Sequence, residues 1–157
     1  MKKLILLLIL FSICAIQAQR KPKIKGNKNV IEVSEDLPAF NAIELNDDLD
    51  IFLQKANSEG YQLMADDNLV DVLKFRVIDS TLIISAFYKI TGKKKLDITI
   101  NYYELNSISL NDGRIKMQDK IDTDELSVNT TGSAKLQLNA NASVMDIVMD
   151  GNSSGDL

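Results

Sequence analysis

The 157-residue chain contains no histidine and no tryptophan, and its single cysteine is Cys14. Without histidine there is no imidazole base to activate a serine or cysteine nucleophile. One cysteine makes neither a disulfide nor a thiolate zinc cluster. A serine–lysine pair would need a serine on a strained elbow, and no serine sits in such a context. No catalytic residue, cofactor-binding residue or metal ligand is therefore assigned, and the chain is expected not to be an enzyme. Proline is scarce as well: none follows Pro38, so no ladder beyond it loses an N–H donor. No later stretch reaches 18 consecutive apolar residues, so no membrane span is expected once the N-terminal segment is removed.

What is present begins with that segment. Lys2 and Lys3 precede an apolar run from Leu4 to Ile13 broken only by Ser12, and Ile16-Gln17-Ala18 ends on a small residue. This order predicts a secretory signal peptide over residues 1–18, cleaved after Ala18, and hence an exported protein of the periplasm, outer surface or medium. Cys14 could carry a lipid only if a small residue preceded it, and Ile13 is not small. Cleavage removes the only cysteine, so the remaining part must be held by burial and backbone pairing.

Charge divides the remainder. Arg20, Lys21, Lys23, Lys25 and Lys28 cluster within residues 19–29, which reads as a basic flexible leader that could also touch anionic surface polymers. From Asn29 onward 11 basic residues face 22 acidic ones, a net charge of −11. Such a body repels phosphate backbones, so nucleic acid is not an expected partner.

Period-two alternation dominates residues 30–157. Leu96, Ile98, Ile100 and Tyr102 alternate with Asp97, Thr99, Asn101 and Tyr103; Leu49, Ile51 and Leu53 share one face and Asp50, Phe52 and Gln54 the other. Asp79-Ser80 reads as a hairpin turn between Leu73–Val77 and Leu82–Ile84. Only Asp66–Leu73 suggests helix, a turn or two behind an acidic cap. The second half then repeats. Ile108-x-Leu110, Leu126-x-Val128 and Ile147-x-Met149 are each followed by a corner rich in Gly, Asn, Asp and Thr. Second apolar pairs, Ile115-x-Met117 and Leu136-x-Leu138, follow the first two corners. The units start 18 and 21 residues apart. A two-strand unit cannot close a core alone but stacked units can. The expected fold is therefore an all-β, single-domain β-solenoid, right-handed and parallel β-helix-like, with an antiparallel β-sandwich as the alternative. Leu110, Leu126, Val128, Leu136, Leu138 and Ile147 are the expected core. The final unit stops at Gly155-Asp156-Leu157, where its second strand should begin. The domain is thus expected to be truncated at its C-terminus, with an open rung available for self-association.

The Phe40-Asn41-Ala42-Ile43 strand, the Ala65-Asp66-Asp67-Asn68-Leu69 segment, Asp79-Ser80-Thr81-Leu82-Ile83-Ile84 and the Gly132-Ser133 corner follow one another in an order that resembles the putative auto-transporter adhesin family, the head GIN domain. The resemblance runs from about Phe40 to the end. It implies an exported Bacteroidetes-type β-solenoid of the cell envelope, with no established activity. Ala134 departs from it, standing where a second corner glycine is common.

Several side-chain groups remain candidates for binding. Asp47-Asp48-x-Asp50 and Asp66-Asp67-Asn68 cluster hard oxygen ligands suited to calcium, but without the spacing of a known calcium loop, and turn or cap roles also explain them. Lys93-Lys94-Lys95 reads as a solvated turn or a ligand contact. Tyr61, Tyr88 and Tyr103 could together form a sugar-stacking platform. The sequons at Asn129, Asn141 and Asn152 read as corner asparagines. The expected function is a non-enzymatic surface or periplasmic module for adhesion or envelope interactions, whose partner is cell-surface polysaccharide or protein. The alternatives are a carbohydrate-binding module and a polysaccharide-active enzyme built on paired carboxylates.

Overall fold

The structure is a computed structural model that describes residues 21–117 and 119–156. The predicted signal peptide, its cleavage site and Cys14 lie outside the described residues. Among those described, the chain is all-β apart from one turn of helix, α1 (Asp67–Val70). The alternation read from the sequence becomes strand by strand a buried and an open face: β9 (Leu96–Tyr102) strictly alternates buried with half-buried residues.

Two larger sheets carry the core. The first orders β14 (Ala140–Met149), β12 (Ile121–Thr130), β10 (Ser107–Leu110), β3 (Ala42–Leu45), β7 (Thr81–Ala86) and β6 (Leu73–Ile78). The second orders β15 (Ser154–Asp156), β13 (Lys135–Gln137), β11 (Arg114–Met117), β4 (Asp50–Lys55), β9, β5 (Gly60–Asp66) and β2 (Val30–Asp36). From β14 to β7 and from β15 to β9 every pairing is parallel. Antiparallel pairing is confined to one end, where β6 joins β7, β5 joins β9 and β2 joins β5. The sheets are therefore mixed rather than antiparallel, and the sandwich alternative fails because like faces align in parallel register along most of both sheets. Neither sheet closes on itself.

In the parallel part the apolar pairs stack. Ile108 lies in register between Val128 and Ile43, and Leu110 between Thr130 and Leu45. In the other sheet Ile115 lies between Leu136 and Ile51. Both inner faces meet in one apolar core that includes Leu110, Leu126, Val128, Leu136 and Leu138; Ile147 is partly buried against it. The order of rungs is not the order of the chain. The β3/β4 rung sits between β10/β11 on one side and β7/β9 on the other. Among the parallel rungs the chain thus lays down an interior one first and builds on both sides of it.

Corners between the two sheets stack too. Gly113, Gly132 and Gly151 all have positive φ. A Cβ on Gly113 would come within 2.6 Å of the carbonyl oxygens of Asp47 and Leu49, and one on Gly132 within 2.5 Å of the Asn111 oxygen. Asn111 donates its side-chain amide to Asn46 at 2.5 Å and accepts from the Thr131 hydroxyl at 3.2 Å, so the corner side chains form a polar ladder of their own. The hairpin turn at Asp79-Ser80 is present, with φ of 49° and 59° at its two residues. Both are left-handed, as a two-residue turn between twisted strands requires. Ala134, the departure from corner glycine, is fully buried.

Candidate functional site

The residues singled out from sequence fall into three groups with different fates. The acidic clusters are fastening points. Asp66, wholly buried, accepts backbone N–H bonds from Lys28 at 3.1 Å, Lys94 at 3.0 Å and, through its other oxygen, Lys95 at 3.1 Å. Burial pushes its carboxyl up, but the three N–H donors and the nearby Lys94 charge outweigh this and hold it below the ordinary value. Its side chain therefore serves not as the expected cap of α1, which has no side-chain capping bond, but as a tie between three separate segments. Asp67 accepts from the side-chain amides of Asn29 (2.9 Å) and Asn27, which lower its carboxyl. Asn68 completes the set, accepting from the Asn27 N–H and donating to the Lys25 carbonyl, both at 2.9 Å. Asp47 takes the Lys21 ammonium at 2.5 Å and the Ala86 N–H at 2.8 Å. The oxygens of Asp47, Asp66, Asp67 and Asn68 are thus engaged by protein donors, and no group of three or more acidic ligands suited to a metal occurs among the described residues.

Those same contacts revise the basic leader. Instead of a flexible segment, residues 21–29 contain β1 (Lys23–Lys25), which pairs in parallel with β8 (Lys89–Gly92). Its single apolar residue, Ile24, packs beside Ile90 against the core, and the Asp66–Asn68 cluster ties down the backbone from Lys25 to Asn29. The sequence signal was weak because five charges surround one isoleucine.

The tyrosines do not form a platform. Tyr61 is 7% exposed and stacks on Phe75 with ring centroids 4.1 Å apart. Burial, then its hydrogen bond to Glu35, push its hydroxyl up to about 12. Tyr103 is exposed while its neighbour Tyr102 is buried, with no hydrogen-bond partner for its hydroxyl among the described residues. Burial and the charges of Asp119 and Asp122 push the Tyr102 hydroxyl up to about 12. Tyr88 is exposed, on the loop between β7 and β8.

What the fold offers for recognition is its outer sheet surface. On the six-stranded sheet Ser107 and Ser109 lie in register with Ser127 and Asn129. On the other sheet Arg114 lies between Asp50 and Lys135, its guanidinium 3.6 Å from Asp50. Carboxylates gather where β12 and β14 begin: Glu104, Asp122 and Asp124 line a hollow of about 620 Å³ with Asn141 and Ser143. Asn141 donates its side-chain amide to Asp122 at 3.2 Å, so this sequon asparagine has a strand role. Sequence reading missed this hollow, because its acidic residues come from separate strands and none belongs to a recognisable motif.

Among the described residues the chain is thus an all-β stack of two larger sheets with open polar faces and a fastened N-terminal strand. The chain belongs to the family described as putative auto-transporter adhesin, head GIN domain, whose model matches residues 39–157. Solved structures share the fold. A putative adhesin from Parabacteroides merdae superposes with a TM-score of 0.75 at 18% identity, covering 85% of this chain and 58% of that one. One from Bacteroides fragilis gives 0.72 at 25% identity, covering 85% and 64%. A putative lipid binding protein from Parabacteroides distasonis gives 0.64 at 18% identity, covering 85% and 63%. The chain thus spans less than two thirds of the length of these structures. Among curated proteins none matches it in sequence. No helix among the described residues is long and apolar enough to cross a membrane.

Proposed function

We propose that the protein is a non-enzymatic exported module, acting at the cell surface or in the periplasm, that binds extended envelope polymers or proteins through its sheet faces. The parallel rungs are read as a short β-solenoid. The observation that carries this reading is the flat, register-aligned polar surface of Ser107, Ser109, Ser127 and Asn129. Such a surface suits an extended ligand better than a small enclosed one, because flat faces bury little of a small molecule. Family membership supports the adhesive reading and an exported or surface location.

The test is a glycan and envelope-protein binding array on the exported protein, paired with a reducing-sugar release assay. The expected result is binding without release, weakened by Ser109→Lys and Asn129→Lys on the polar face. Release of reducing ends that is lost in Glu104→Gln or Asp122→Asn would replace this reading with a polysaccharide-active enzyme at the acidic hollow.

A further inference from the structure

The lysines of the N-terminal segment and those of the Lys93-Lys94-Lys95 turn are far apart in the chain. The β1–β8 pairing brings them onto one ribbon. Lys23 lies in register with Lys89, and Lys25 with Gly92, the residue just before the lysine turn. Lys28, Lys94 and Lys95 have their backbones fixed to the one buried carboxylate of Asp66. Within the ribbon Lys21 is paired with Asp47 and Lys95 with Asp97. The other six, Lys23, Lys25, Lys28, Lys89, Lys93 and Lys94, are exposed and form no ion pair among the described residues. These cations are therefore pre-assembled on a fixed backbone, in a chain whose net charge is −4 with 22 acidic residues.

Beside this charge stand two exposed aromatic side chains. Phe87, 52% exposed, and Tyr88, 41% exposed, join β7 to β8 at the start of the ribbon. The Lys74 ammonium lies 3.4 Å from the centroid of the Phe87 ring, adding a cation to the same edge. Large exposed aromatics next to unpaired lysines match the two demands of a bilayer interface: aromatic rings at the boundary of headgroups and acyl chains, and cations against anionic headgroups. The remaining surface is acidic, so an anionic membrane would repel it and turn the ribbon towards the lipid.

We infer that the β1–β8 ribbon with Phe87 and Tyr88 is a peripheral docking surface for anionic lipid bilayers. It would hold the domain on a membrane with its polar sheet faces free. This goes beyond the binding role proposed above and does not depend on it: the sheet-face variants Ser109→Lys and Asn129→Lys should leave lipid binding intact.

The test is co-sedimentation of the exported, processed protein with vesicles of phosphatidylcholine alone or containing 30% phosphatidylglycerol, at low and high salt. Binding is expected only to the anionic vesicles and should be lost at about 0.5 M NaCl, where the Debye length falls to a few Å. Each lysine near the surface contributes about a fivefold factor. The quadruple change K23E/K25E/K93E/K94E should therefore weaken partitioning about 100-fold or more, and F87S/Y88S several-fold. Lys116→Glu with Lys135→Glu, on the seven-stranded sheet, should have little effect. Circular dichroism confirms that each variant is folded, and the salt dependence of the unmodified protein stands even if one is not. Equal binding to neutral vesicles would overturn the inference, as would unchanged binding in the lysine variant. Binding to soluble polygalacturonate with none to anionic vesicles would also overturn it and assign the ribbon to an acidic polysaccharide.

Discussion

The β3/β4 rung and the β14/β15 rung both turn through a tight corner, but only the first has an apolar pair on each side, since β15 is Ser154-Gly155-Asp156, and the two differ sharply in burial. In β3/β4 Ile43, Leu45, Ile51 and Leu53 are all 0–1% exposed. In β14 Met145 and Met149 are 40% and 39% exposed, and Val144 and Val148, on the outer face, exceed 50%. The first rung has neighbours in register on both sides, the second on one. An apolar pair in this fold is half of a contact, and its worth is set by the rungs stacked against it. Stability should therefore behave as a sum of rung and nearest-neighbour contributions, largest in the interior.

Large-to-small changes sharpen that contrast most. Ile98, wholly buried in β9, should cost about 3–4 kcal/mol when changed to alanine. Ile147 in β14, only partly buried, should cost about 1 kcal/mol. Urea denaturation of the two variants measures both, and equal losses would break the comparison. The corners should grade the same way. Gly113→Ala forces a Cβ against two carbonyl oxygens at a φ of +81° and should cost about 2 kcal/mol or more. Gly151→Ala, at φ +70° with its nearest atom 3.0 Å away, should cost about 1 kcal/mol.

The fastening of the N-terminal strand predicts a pH effect of defined sign. The Asp66 carboxyl is held below its ordinary value of 3.8, so it stabilises the fold while ionised. That contribution is complete at neutral pH and drains away as pH falls through 3.8 towards the lower folded value. Asp66→Asn should lower the melting temperature at pH 7. The gap to the unmodified protein should narrow below about pH 4. A gap that stays constant down to pH 2 would mean that the carboxylate charge is not what ties Lys28, Lys94 and Lys95 together. The smallest effect is expected at Tyr102. Its buried hydroxyl has no partner among the described residues, so Tyr102→Phe should be neutral or stabilising by up to about 1 kcal/mol in the same denaturation assay.

The sequence made the elements readable where one face is buried and the other wet. The strict alternation in Leu96–Tyr102 and the Asp79-Ser80 turn both appear where the pattern puts them. Rung order was not readable. Ile43-x-Leu45, Leu82-x-Ile84 and Ile108-x-Leu110 present the same two-point pattern, and nothing local to any of them says which will be its neighbour. Docking of the leader was hidden for a different reason. It rests on Ile24 and on contacts with the carboxylates and amide of Asp66–Asn68, 38 to 43 residues away, which leave no periodic trace. Tyr61 was misplaced because a tyrosine stacked in a core and one exposed on a sheet face look alike in an alternating strand. Glu104, Asp122 and Asp124 are brought together only by the stacking of strands.

Hydrogen exchange resolved by strand tests the neighbour-dependence of stability most directly. Amides of β3, β4 and β10 should exchange slowest, at rates set by global unfolding, those of β12 and β13 faster, and those of β14 and β15 fastest. Uniform protection from β3 to β15, or slower exchange in β14 than in β3, would contradict the account.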